Sequence, residues 1–210
     1  PIELAIEPDI RLVLLLGNQD ADTTAIPMIM VSSDPRSPQL GSHCLVEARH
    51  LPAQMGEIDR WHANRIAAGV PEGSVDLTPE RALMLEAGLD RLGAVDFEKG
   101  CYVGQEVTAR THYRGLVKRR LVPLTIAGDP PAIDSDIAWH GTVIGKSKTA
   151  ASLAGPITGK HEHKDAKSIC LALLKLSDLH IILDASANDD GLTINGHAAA
   201  LALADWMQPL

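Results

Sequence analysis

The chain has 210 residues, 45% hydrophobic and 22% charged, with a formal net charge of −8 at pH 7. That is an ordinary globular composition, long enough to bury a substantial core as one large domain or two small ones. The acidic balance leaves no positive surplus for broad nucleic-acid binding, and no run of about 18 apolar residues exists to cross a membrane, so neither partner is expected.

Ile2 to Ile6 alternates apolar and polar residues and reads as a half-buried strand. Arg11 to Leu16 reads as a buried strand closed by Gly17-Asn18, Gln19 to Thr24 as a polar loop, Ile26 to Val31 as an apolar strand, and Ser42 to Ala48 as a weakly alternating one. Gly56 to Ala68 is an amphipathic helix, with Ile58, Trp61, Arg65 and Ile66 at helical spacing and Gly69 and Pro71 to stop it. Thr78-Pro79-Glu80 has the chemistry of a helix start, and the helix it opens ends before Gly88. Glu86 then sits among apolar residues, where a carboxylate requires a partner. An ion pair to Arg81 or Arg65 is the plain structural reading.

Ala94 to Glu98 alternates like a short strand, Lys99-Gly100 reads as a loop, and the residues from Gly104 favour one or two helical turns. Cys101 and Tyr102 would lie at or just before that helix's N-terminus, where unpaired backbone N–H groups and the nearby Lys99 favour a thiolate or a bound anion. The alternative is that Cys101 is a small buried hydrophobe and the glycines only make a tight turn. The three cysteines, Cys44, Cys101 and Cys170, lie far apart without a C-x-x-C pair. No disulfide framework or metal site is expected, and the chain fits a reducing compartment.

Arg110, His112, Arg114, Lys118, Arg119 and Arg120 concentrate positive charge, either for an anionic ligand or as a solvated strand edge. Beyond Gly115 come short segments of strand character: Leu116 to Ile126, Asp136 to Ile144, Ile169 to Lys175, His180 to Leu183 and Leu192 to Ile194, the last followed by an Asn195-Gly196 turn. Their spacing predicts a small antiparallel barrel. His161-Glu162-His163-Lys164 reads as a solvated loop, although H-x-H can bind a metal.

The stretch Lys99 to Glu106, K-G-C-Y-V-G-Q-E, with Thr108-Ala109-Arg110 and Tyr113-Arg114-Gly115 behind it, resembles the signature of the YgfZ-type folate-binding family. Members of that family support iron–sulfur protein maturation and tRNA modification, and they are related in fold to the glycine-cleavage T-protein, an aminomethyltransferase. The resemblance extends over Gly69 to Ser74, Pro79-Glu80, Leu85 to Gly88 and Val117 to Leu121. It implies an α+β, T-protein-like fold, with residues 1–115 a partial α/β folate-binding domain whose N-terminal part is missing, and residues 116–210 the C-terminal barrel.

What the resemblance implies chemically is a tetrahydrofolate site near the Lys99 to Glu106 loop. Glu86 matches the Glu of an L-E-A-G motif that contacts the pterin ring in T-proteins. Lys99, Tyr102, Gln105, Arg110, Tyr113 and Arg114 would complete the cofactor site, with Cys101 as the reactive group beside it. T-proteins resemble K-G-D-F-I-G at this place. Cys101 and Tyr102 therefore favour an accessory role toward iron–sulfur enzymes or assembly proteins over aminomethyl transfer, which stands as the alternative beside a non-catalytic docking module. A cytoplasmic location is expected, with the mitochondrial matrix as the alternative.

Overall fold

A computed structural model describes residues 7–16, 26–53, 56–101, 103–153, 166–185, 189–208 and 210. The readings of Ile2 to Ile6, Gln19 to Thr24 and the His161 to Lys164 loop fall outside these residues, and so does Tyr102. The fold mixes α and β structure, as expected, and its largest unit is a closed antiparallel barrel.

The first three strands, β1 (Ile10–Leu15), β2 (Met28–Ser33) and β3 (Ser42–Glu47), form an antiparallel sheet with β3 in the centre. Val13, Cys44 and Val46 make its small core. The expected burial of the first strand holds for only one of its faces. Because side chains alternate across a strand, Val13 points inward while Leu12 is 60% exposed.

Helix α1 (Ile58–Ala67) ends as its sequence foretold. Gly69 takes a φ of 70°, the Gly69 N–H bonds the Ile66 carbonyl, and the Val70 N–H bonds that of Arg65 at 3.0 Å, the pattern of a glycine-terminated helix. A single-turn helix α2 (Gly73–Asp76) follows.

The helix expected from Thr78 is absent. Glu80 has a φ of 63°, which no right-handed helix accommodates, and the chain runs through successive turns to Gly93. Ala94 to Glu98 is not a strand either, since it meets no ladder partner among the described residues. Helix α3 (Glu106–Tyr113) supplies the two turns expected after Gly104, and none of its residues is buried.

The barrel closes in the order β4-β7-β6-β5-β8-β9, with β4 Arg119–Ile126, β5 Asp136–Trp139, β6 Thr142–Ser152, β7 Ser168–Lys175, β8 Leu192–Ile194 and β9 His197–Leu201. Strands β4 and β7 are apolar on both faces for a reason visible in the packing. Val122, Leu124, Ile126, Cys170, Ala172 and Leu174 fill the interior, whereas Leu121, Ile169 and Leu171 pack outward against Ala63 and Ile66 of α1.

His180 to Leu183, read as a strand, belongs to helix α4 (Leu176–Asp184). Leu176, Leu179 and Ile182 recur every three residues and close one end of the barrel core, so packing overrides the β-branched run. The Asn195-Gly196 turn joins β8 to β9 with φ of 50° and 78°, the two positive values that a tight hairpin requires.

Candidate functional site

The turn from Leu83 to Gly88 is held against the start of β4 by its backbone. The Glu86 carbonyl accepts the Leu121 N–H at 2.9 Å, and the Leu85 carbonyl accepts Arg120 Nη1. Gly88, with φ of 72°, packs under the Trp206 ring, and a Cβ there would come within 2.7 Å of it. These constraints aim Glu86 into a cavity of about 410 Å³ between the 76–87 segment and the outer faces of β4, β6 and β7.

Glu86 is 7% exposed, and its two carboxylate oxygens each accept one bond from Arg119. Nε reaches Oε1 at 3.1 Å and Nη2 reaches Oε2 at 3.0 Å, a side-on bidentate pair. The partner is thus neither Arg81 nor Arg65. Arg65 is wholly buried and paired to Asp76 at 2.7 Å.

The cavity lining mixes apolar and charged groups. Leu77, Leu83, Leu121, Ile144 and Leu173 are apolar; Arg81, Arg119, Lys146, Lys148 and Lys175 supply five cations against the three carboxylates of Asp76, Glu86 and Asp134. Ladder register places Arg119 directly opposite Lys175, an arrangement of like charges that costs stability unless something negative is near. Lys146 pairs with Asp136 at 2.6 Å and Lys148 with Asp134 at 2.8 Å, while Arg81 and Lys175 make no ion pair among the described residues. A chain of net charge −8 therefore presents a locally positive, half-apolar pocket, suited to a planar ring that ends in an anion.

A bulge in β6 builds one side of this pocket. Between Ser147 and Ala150 the ladder to β7 slips, leaving Lys148 and Thr149 without strand partners. The Thr149 N–H turns instead to Asp76 Oδ1 at 2.9 Å, and Lys148 projects into the lining.

Cys101 lies elsewhere. With Phe97, Gln105, Thr108 and Tyr113 it lines a second cavity of about 280 Å³, which shares no lining residue with the first. The thiol is exposed and unbonded to another cysteine. It precedes the α3 cap Gln105 by four residues, before the helix rather than in its first turn, and the intervening turn carries Gly104 at a φ of 87°. Phe97 stacks on His112 with centroids 3.7 Å apart and meets the Tyr113 ring edge-on.

Of the residues expected at a folate site, Glu86 is in the larger pocket, whereas Gln105 and Tyr113 are in the smaller one with Cys101. Lys99, Arg110 and Arg114 are exposed and line neither. Of the cations that line the pocket with Glu86, Arg81 was named from the sequence as an ion-pair partner for it, whereas Arg119, Lys146, Lys148 and Lys175 were not foreseen there. Among these four only Arg119 carried a signal, as part of the basic run ending at Arg120.

No protein-family model matches the chain. Among curated proteins it is 36% identical over 194 residues to the mitochondrial iron–sulfur cluster assembly factor IBA57 homolog of Mycosarcoma maydis, which covers 81% of this chain and 48% of that protein. The chain is similar to iron–sulfur cluster assembly factors. It is 41% identical over 107 residues to mouse mitochondrial IBA57 (49% of this chain, 30% of the relative) and 43% identical over 115 residues to the human protein (53% and 32%). The chain spans about half or less of the length of each of these relatives.

Proposed function

We propose that this chain acts within a mitochondrial iron–sulfur cluster assembly factor, as an accessory protein rather than a one-carbon transferase, and that the Glu86 pocket takes tetrahydrofolate. The observation that carries the ligand reading is a buried carboxylate facing a pocket with more cations than acids. The relatives' printed role in cluster assembly supports the process, and their mitochondrial designation favours the matrix over the cytoplasm. The T-protein-like likeness of the fold enters as part of this reading, and tRNA modification only through an iron–sulfur client enzyme.

The pocket residues fit that ligand. Glu86 is an acceptor for the paired 2-amino and ring N–H donors of the pterin, the leucine side chains take the aminobenzoyl ring, and the cations at the rim take the glutamate carboxylates. When bound, tetrahydrofolate supplies a carrier for one-carbon units. Cys101, exposed in a cavity of its own, is the residue proposed to contact an iron–sulfur cargo transiently.

Calorimetric titration of tetrahydrofolate into the full-length protein and its Glu86→Gln variant tests the ligand. Micromolar binding that weakens at least tenfold in the variant supports the pocket assignment; no binding to the unmodified protein removes it. Failure of Cys101→Ser to restore iron–sulfur enzyme activity in cells lacking the protein supports the thiol's role.

A docking reading has one observation in its favour. Helix α3 buries no residue, and Val103, Val107 and Tyr113 stand exposed on and beside it. Retention of a partner by a variant that binds no folate would favour that reading.

A further inference from the structure

The contact between Glu86 and Arg119 occupies the same acceptor positions that the proposed ligand needs. A carboxylate engaged side-on by Nε and Nη2 has no second side-on edge for a pair of parallel donors. A reduced pterin can therefore meet Glu86 in the same way only after Arg119 has left.

The two partners are unequal in freedom. The Glu86 side chain is 9% exposed and its backbone is tied to β4 through Leu121, whereas the Arg119 side chain is 47% exposed. Departure of the guanidinium without replacement would strand a buried negative charge, which is strongly unfavourable. Departure as ligand donors arrive leaves the carboxylate satisfied. It also releases a cation at the pocket rim, beside Lys175, where an anionic ligand tail would lie. Arg120 cannot substitute at Glu86, because its guanidinium is held at the Leu85 carbonyl and near Asp90.

We propose that Arg119 is an exchangeable partner of Glu86: it holds the carboxylate while the pocket is empty, yields it to the paired donors of a reduced pterin, and re-pairs with the carboxylate of the ligand's own tail. Arg119 thereby sets specificity. A ligand with a ring but no anionic tail has to displace the guanidinium and offers it nothing in return, while a tailed ligand supplies both exchanges. This inference rests on the folate-type reading of the pocket.

The test is calorimetric binding of two probes, tetrahydrofolate and a tetrahydropterin lacking the aminobenzoyl-glutamate tail, to the full-length protein and to Arg119→Ala and Arg119→Lys. Exchange predicts that Arg119→Ala binds the tail-less probe about tenfold more tightly and tetrahydrofolate about tenfold more weakly, so the preference for the tail collapses. Arg119→Lys, which keeps the charge but loses the fork, gives smaller shifts in the same directions. It is also the variant to rely on if Arg119→Ala, leaving Glu86 unpaired, does not fold by circular dichroism. Equal weakening of both probes would overturn the exchange and make Arg119 a fixed support for Glu86, with the folate reading intact. Binding of neither probe to the unmodified protein would overturn both.

Discussion

Asp76 and Arg65 form an ion pair in which neither side chain is exposed, Oδ2 accepting from Nη1 at 2.7 Å. Each is held by further bonds. The same Arg65 nitrogen reaches the Val70 carbonyl at 2.8 Å, and Asp76 also accepts the N–H groups of Glu72 and Thr149. One carboxylate thus joins α1, α2 and the bulge of β6.

Removing this anion leaves the buried guanidinium with only the half-exposed Glu72 carboxylate, 3.4 Å from Nη2, as counter-charge. Asp76→Ala is expected to cost about 3–5 kcal/mol of unfolding free energy, the usual loss when one member of a buried pair is deleted. Urea unfolding monitored by tryptophan fluorescence would show it, since Trp61 lies beside Arg65, with the guanidinium carbon 5.7 Å from the ring centre. A loss below about 1 kcal/mol would mean that the pair is not buried in solution.

A second carboxylate gives a pH dependence. Hydrogen bonds from the Arg36 side chain hold the Asp34 carboxyl below its ordinary pKa, with help from the Arg36 N–H and the charge of His43. A depressed folded value means that Asp34 stabilises the fold above the unfolded pKa of about 3.9 and loses that contribution as pH falls through the folded value. Asp34→Asn is therefore expected to be about 2 kcal/mol less stable than the parent at neutral pH, with the gap closing below about pH 4. Denaturant midpoints at pH 3, 5 and 7 check this, and a gap that stays constant with pH would refute it.

The cysteines divide cleanly. Cys101 is exposed, whereas Cys44 and Cys170 are buried, and burial pushes the Cys170 thiol up to about 12 and raises that of Cys44 as well. Reaction requires thiolate and access. Of this chain's three thiols, Ellman's reagent is thus expected to titrate one in the native state and all three after denaturation, with the native signal lost in Cys101→Ser. Two or more rapidly reacting native thiols would contradict the burial.

Much of this architecture was legible in the letters, and the exceptions have physical reasons. The barrel announced itself through the spacing of its short strands, and within β4 and β7 the stretches Leu121 to Ile126 and Ile169 to Leu174 are mostly apolar because both of their faces are buried. Strand β9 gave no such notice: Ala198, Ala199 and Ala200 have little β preference and are extended because β4 and β8 flank them. His180 to Leu183 failed in the opposite sense, strong local preference losing to the contacts of Leu176, Leu179 and Ile182. Glu86 was visible as a carboxylate in apolar company, but its partner was not. Arg119 lies 33 residues away in sequence, and the two meet where the 83–88 turn packs against the start of β4. The pocket itself draws on the 76–87 turns, β4, β6 and β7, none of which announces the others.

The backbone bond from Leu121 to Glu86 carries a kinetic meaning. Leu121 lies on β4, which pairs with both β7 and β9, so the acid is fastened to the strand at the seam where the first and last parts of the barrel meet. The pocket draws its lining from the 76–87 turns and from β4, β6 and β7, so it is complete only where those strands are paired. Ligand occupancy would then act as a clasp on the whole barrel, slowing amide exchange at Leu121 together with that of the strands on either side.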